Sequence, residues 1–411
     1  MRVLVYAHQL EIGGTQTNAI ELAAALRDQQ GCEVTVFATP GPMVGKLHEK
    51  RLPYIPAPQP NFYPSPARIR ALRRAVLAWK PDVIHVWDWW QCLDAFYGVH
   101  LTMEVPLVVT DMNMSLVRVL PKFLPTTFGF PSLVERARAA GRTNVELLLP
   151  PVDTSINAPT GSSGAEFRQA HGIAPSEIAL VTVSRLSRNM KSDSIGRTAR
   201  TVQELGQRLP LRFLLVGEGA ARNEFELMAR SINSELGRRA IILTGPMLDP
   251  RPAYDAADIV VGMGGSALRG MAFRKPVIVT GDHGFANVLS PETSDFFLWN
   301  GIFGQRGDEA HSRPLSEAIA GLAVDNALRS SLGHYSRKFV EENFSLDVLS
   351  GRLVAILRNA VSAPRRWRLT IFDGVRTAAV YMRERRFLTA VRMEPPGGRS
   401  PDPSVLVQNK V

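Results

Sequence analysis

Cysteine is almost missing: Cys32 and Cys92 are the only two among 411 residues. Two thiols cannot make a disulfide framework, and neither has the His or Cys company of a zinc site, so two reduced thiols and no metal are expected. Also missing is any apolar run near the roughly 18 to 20 residues that a membrane-spanning helix requires. Met1 leads directly into Arg2-Val3-Leu4-Val5-Tyr6 without a secretory leader pattern, which gives a soluble, cytoplasmic protein as the expectation. Lysine is scarce too, with eight against 40 arginines.

What is present is a globular composition, 45% hydrophobic, at a length that suits two or three domains. The formal charge of +10 looks like a nucleic-acid signal until it is mapped. Residues 361 to 411 carry ten Lys/Arg and four Asp/Glu, a net of +6, and leave only +4 for the preceding 360 residues. No helix-turn-helix, aromatic RNA-binding strand or zinc finger is recognisable, so nucleic acid is not the expected partner.

Short apolar strands alternate with helical patterns, which predicts an α/β protein with parallel sheets covered on both faces. Arg2 to Tyr6 and Glu33 to Ala38 read as strands around a helix from Thr15 to Asp28. Ser65-Pro66 caps a second helix that delivers the chain to strands at Val83 to Val86, Leu107 to Thr110 and Val145 to Leu149. The stretch Asn157-Ala158-Pro159-Thr160-Gly161-Ser162-Ser163-Gly164 reads as a boundary, after which the alternation restarts. The expected organisation is a first domain over 1–157, a second over 158–360 that ends in a helix from Ser345 to Ala360 crossing back towards the first domain, and a basic extension over 361–411. Two doubly wound, Rossmann-like domains bind ligands beyond the carboxyl ends of their strands, so a central cleft between them is the expected site.

Three loops carry cradle chemistry. Gly13-Gly14 lies between the first strand and first helix, where backbone can approach an anion at the helix's positive end; an ordinary turn gives the same pattern. Val183-Ser184-Arg185-Leu186 with Lys191 places two cations past a buried strand, suited to a departing diphosphate or to a solvated basic loop. Gly262-Met263-Gly264-Gly265-Ser266 is a Gly-rich turn in which Ser266 is either a helix cap or a phosphate ligand.

In order and spacing these residues resemble the retaining glycosyltransferases of family 4, with the GT-B fold, over about residues 1–360. Leu149-Pro150-Pro151-Val152-Asp153 stands where that family has Pro-Asn-Gly-Val-Asp. Arg185 and Lys191 follow in the Gly-Arg-Leu…Lys-Gly position, then Leu215-Val216-Gly217-Glu218-Gly219 and Met271-Ala272-Phe273-Arg274-Lys275-Pro276-Val277-Ile278. The resemblance implies GT-B architecture and sugar transfer from a nucleoside diphosphate sugar, retaining and metal-independent, to a polysaccharide, lipid-linked glycan or secondary metabolite. No cofactor beyond that co-substrate is implied. It places Gly13, Gly14, Arg185, Lys191, Gly262, Gly264, Gly265, Ser266 and Arg269 around the diphosphate.

Departures from the pattern keep other readings open. The family's two glutamates, eight residues apart, fall on Val261 and Arg269, and an arginine can reach phosphate but cannot accept from ribose hydroxyls. A non-catalytic GT-B-like nucleotide- or carbohydrate-binding protein and a sugar-nucleotide epimerase are the alternatives. Asp82-Val83-Ile84-His85-Val86-Trp87-Asp88-Trp89-Trp90 ends another strand; Trp87, Asp88, Trp89 and Trp90 are acceptor-binding candidates, or else core. His85 and Asp111 are the catalytic candidates. Past the expected end of the fold, Pro364-Arg365-Arg366-Trp367-Arg368 and Arg383-Glu384-Arg385-Arg386 flank a moderately apolar stretch. That tail is either a peripheral contact with the inner face of an anionic membrane or a solvated arm ending in a disordered stretch from Pro395.

Overall fold

The computed structural model describes residues 1–390 apart from 189, 190, 306 and 365, with side chains described to residue 384; the expected disorder from Pro395 lies outside this range. The chain forms two compact units.

The first unit is built on a seven-stranded sheet: β1 (Arg2–Tyr6), β2 (Glu33–Ala38), β3 (Tyr54–Pro56), β4 (Val83–Trp87), β5 (Leu107–Asp111), β6 (Thr126–Phe128) and β7 (Val145–Leu147). The order is β3-β2-β1-β4-β5-β6-β7, and every neighbouring pair is parallel. Its strands are Val-, Leu- and Ile-rich because both faces are covered, and β4 and β5 are buried at every position. Leu4, Ile84, Val86, Val109 and Leu72 share one core with Cys92, Leu93 and Phe96.

The second unit has a six-stranded sheet: β8 (Ile178–Val183), β9 (Leu211–Val216), β10 (Ile241–Gly245), β11 (Ile259–Gly262), β12 (Val277–Thr280) and β13 (Ala286–Val288). The order is β10-β9-β8-β11-β12-β13, parallel except for β13, which runs antiparallel to β12. Leu180, Phe213, Leu215, Ile259, Val261 and Ile278 form the sheet's share of the core. In each sheet the strand order reverses once, between β1 and β4 and between β8 and β11, the positions where open α/β sheets bind ligands.

The unit boundaries differ from those expected. The second unit begins at Val152, not 158, because the Pro/Gly/Ser-rich stretch is not a linker. Its Thr160 and Ser163 hydroxyls donate to Asp255 at 2.6 and 2.8 Å, and the stretch opens the helix Ser162–Ala170. The helix Leu346–Ser362, expected to end the second domain by crossing back towards the first, is part of the first unit. It packs on the helix Gly14–Asp28 and on β4 and β5, burying Leu349, Leu353, Val354 and Leu357. Gln29 and Gln30 bond its Ser350, at 2.9 and 3.2 Å. The extension also continues as a helix, Trp367–Ala390, that docks on the first unit. Among the described residues no helix is long and apolar enough to cross a membrane.

Candidate functional site

At the β8/β11 reversal the chain leaves β8 through Ser184, Arg185 and Leu186. This loop is held from below by backbone alone: Ser184 N–H donates to Val216 O and Leu186 N–H to Glu218 O, both at 2.9 Å. Those bonds require Gly217 and Gly219, whose φ values are 147° and 157°. A Cβ would fall 1.8 Å from Ser184 O at Gly217 and 2.3 Å from Leu186 O at Gly219. The Leu-Val-Gly-Glu-Gly segment therefore acts by letting two loops touch.

Arg185 is exposed on that loop, and Lys191 is the first residue of the helix Lys191–Leu205. Burial, and secondarily the charge of Arg185, lowers the Lys191 ammonium to about 8. No carboxylate pairs with Lys191 among the described residues, so a half-buried, partly desolvated cation has a second cation beside it. Across the reversal, β11 gives way to the helix Gly264–Ala272 through Met263. Gly264 takes φ 52° and its N–H is used by Ile302 O at 2.9 Å, which leaves the next N–H groups of the first turn without intrahelical partners. Thr182, Ser184, Lys191, Gly262, Ser266 and Thr280 line a hollow of about 10 Å³ here. That is room for about one water, so the hollow is the floor of an open site and not an enclosed pocket.

The expectation that Ser266 caps this helix is corrected: Met263 is the N-cap. Ser266 lies inside the first turn, where its hydroxyl donates to Val183 O at 2.7 Å and accepts from Tyr254 OH at 3.3 Å, tying the turn to β8. Arg269 is half-buried one turn later and donates to Gly265 O at 3.3 Å, while Val261 is wholly buried in β11. The structure thus brings together Arg185, Lys191, Gly262, Gly264, Gly265, Ser266 and Arg269. Thr182 and Thr280, in β8 and at the end of β12, were missed by sequence reading, since single hydroxyls in apolar strands carry no pattern; Ser194, in the helix Lys191–Leu205, donates to Thr280 at 2.9 Å and was missed with them.

Gly13 and Gly14 are in the first unit, as N-cap and first residue of the helix Gly14–Asp28 after β1. The β1/β4 reversal there carries a polar cluster. Asp88 follows β4 without a connecting residue and takes φ 68°, a left-handed conformation that Asp tolerates but that still stores about 1 to 3 kcal/mol. Its carboxylate accepts from Trp89 N–H at 2.6 Å and from Asn113 Nδ2 at 3.0 Å, and its other oxygen is 3.3 Å from His8 Nε2. Asn113 in turn bonds Asp111 at the end of β5, through its side chain at 2.5 Å and its backbone at 3.0 Å. Asp111 is fully buried with Oδ2 unbonded, and burial together with the charge of Asp88 raises its carboxyl to about 7. His8 and Asn113 were missed as members of this cluster; both lie within two residues of a strand end, the one signal that could have found them.

Three further expectations change. His85 is 1% exposed in the middle of β4, where its Nε2 meets Thr110 Oγ1 at 2.6 Å and Thr127 completes the chain of hydroxyls at 2.9 Å. Burial lowers it to about 3, so it stays neutral near pH 7 and serves the sheet instead of a reaction. Trp87 is completely buried and Trp89 is 5% exposed, so neither offers a face to a ligand; β4 runs one residue further than predicted and draws Trp87 inside. Trp90 is half-buried, stacked on Trp89 at 4.0 Å and edge-on to Tyr63 at 4.5 Å.

Two parallel sheets with ligand-type loops at their reversals define the class, the GT-B fold. Solved structures with this architecture include a glycosyltransferase from Rickettsia africae (TM-score 0.69, 14% identity, 88% of this chain and 99% of that one). HepE of Anabaena in complex with UDP is another (TM-score 0.66, 15% identity, 87% and 100%). The UDP-GlcNAc 2-epimerase of Neisseria meningitidis shares it more distantly (TM-score 0.54, 14% identity, 87% and 100%). Residues 12–181 match the Glycosyltransferase Family 4 model and residues 177–312 match Glycosyl transferases group 1, so the chain carries two adjoining glycosyltransferase-family domains. A curated relative, the putative glycosyltransferase EpsD of Bacillus subtilis, is 24% identical over 158 residues. That match spans 36% of this chain and 40% of the relative's length.

Proposed function

We propose that the second unit binds a nucleoside diphosphate sugar and that the first unit receives the acceptor hydroxyl. The observation that carries the donor half is Lys191: a partly desolvated ammonium beside Arg185, with no carboxylate partner among the described residues, next to the open first turn of the helix Gly264–Ala272. A diphosphate satisfies both cations and those N–H groups at once. In support, the Anabaena HepE structures with this fold hold UDP, UDP with glucose, or UDP-glucose. On the acceptor side Asp88 is the carboxylate that reaches the surface, and Asp111 works behind it by fixing Asn113. Asp88 keeps the acceptor-binding role expected of it, while Asp111, a catalytic candidate by sequence, is a positioning residue.

In the proposed reaction the acceptor oxygen bonds to the anomeric carbon as the bond to the leaving diphosphate breaks, with retention and without a metal. Arg185 and Lys191 take up the charge that develops on the departing phosphate, whose oxygen receives the acceptor's proton. The testing experiment is thermal stabilisation across UDP-, GDP- and dTDP-sugars, followed by product analysis. One donor class should raise the melting temperature by mass action and be turned over only with an acceptor. No stabilisation by any of them would overturn the donor site, and conversion of donor without acceptor would replace transfer with epimerisation.

A further inference from the structure

The C-terminal helix Trp367–Ala390 is inverted relative to an ordinary surface helix. Its buried residues are polar or small: Asp373 is 1% and Thr377 0% exposed, and Gly374 is buried beside them. Asp373 accepts from Lys122 N–H and Phe123 N–H at 2.8 Å each, Gly374 O accepts from Tyr97 OH at 2.8 Å, and Arg376 donates to Leu120 O at 2.9 Å. Tyr381 OH donates to Tyr63 O. The helix is thus hooked to the first unit by hydrogen bonds, with Val380 and Tyr381 packed against the core, and this leaves most of its large apolar side chains outside. Trp367, Ile371, Phe372, Val375 and Met382 are between 53 and 68% exposed.

These residues form one stripe. Positions 367, 371, 375 and 382 recur at helical spacing, with 368, 372, 379 and 383 in the adjoining row. The charges exposed on this face between 367 and 384 are Arg368 and Arg383; both carboxylates of the segment, Asp373 and Glu384, are on the docked side or half-buried. Arg368 lies over the Trp367 ring, 5.2 Å from its centre, at the helix start. An aromatic at one end, an apolar centre and two exposed arginines are complementary to an anionic interface; Arg383 also contacts the half-buried Glu384 at 3.3 Å, an acid shared with Arg118. A helix this polar cannot span a bilayer.

We infer that the stripe Trp367, Ile371, Phe372, Val375 and Met382, with Arg368 and Arg383, is a membrane-docking surface that lays the first unit on an anionic lipid bilayer. It does not depend on the identity of the donor.

The test is co-sedimentation of the full chain with vesicles of phosphatidylcholine alone or containing about 30% phosphatidylglycerol. The wild-type chain should partition onto the anionic vesicles only, and less at high salt. The I371S/F372S/V375S variant should lose roughly tenfold or more of that partitioning with an unchanged melting temperature, because all three side chains are exposed. If that variant fails to fold, R368E/R383E carries the test through loss of the anionic preference. Absence of wild-type binding, or binding by both variants equal to wild type, would overturn the inference. So would a wild-type dimer that I371S/F372S/V375S converts to monomer, since the face would then belong to a second copy of the chain.

Discussion

An ammonium taken out of water beside another cation loses proton affinity, and an anionic ligand restores it. Lys191 is in that position, brought to about 8 by burial and by Arg185. Lys191→Ala is expected to weaken nucleoside diphosphate binding by about 1.5 to 3 kcal/mol, the scale of a charge-assisted hydrogen bond. Calorimetry should also show wild-type affinity falling above about pH 8 as the lysine loses its proton, a dependence absent from the variant; equal affinities would remove Lys191 from the site. Asp111 offers a second test through stability. Its folded carboxyl titrates at about 7 against 3.8 when unfolded, so the folded state holds a proton that the unfolded chain releases. Its contribution therefore worsens as pH rises from about 4 to 7. Asp111→Asn should flatten the fall in melting temperature across that window. At this scale the sequence placed Arg185 just past β8 and Asp111 at the end of β5, where the structure has them. It was unreadable within β4, where burial on both faces leaves no alternation to separate a ligand-facing Trp87 or His85 from a core one.

Strands with a continuous apolar run, such as β1 and β2, were legible to the residue because a short apolar run fits a strand covered on both faces. The three-residue strands β3 and β6 were not, since pairing with a neighbour defines them more than their own residues do. The junctions were misread for a related reason. A Gly-rich or Pro/Ser-rich stretch reports that the backbone turns, not whether it turns into a linker, as expected at 157–164, or into a helix cap. Gly217 shows what such a glycine does when it is understood physically. A Cβ there would overlap Ser184 O, so Gly217→Ala should cost on the order of 1 to 3 kcal/mol of stability and displace the Ser184–Leu186 loop. Thermal unfolding and nucleotide calorimetry on the same sample should both register the change. A variant with normal affinity would show that the loop is positioned by other means.

At the scale of the molecule, order along the chain and order in space part company at residue 345. The sequence marks Ser345 to Ala360 as a terminal helix crossing back towards the first domain, and the apolar face of the helix Leu346–Ser362 is consumed by the first unit. Leu353 and Leu357 are wholly buried there, and the helix Gly14–Asp28 on which their helix packs is buried at every position from Asn18 to Leu26. Truncation of Leu353 to Ala should cost about 2 to 5 kcal/mol, which for a unit of this size lowers its melting temperature by on the order of 10 °C. The loss should appear in the first unit's calorimetric transition, while nucleotide affinity at the β8/β11 reversal is retained, because Lys191, Arg185 and the helix Gly264–Ala272 all belong to the other unit. A chain ending at Ser345 should go further and lose the first unit's cooperative melting altogether. If that shortened chain melts as the full one does, the helix is an accessory, and the first unit is complete without it.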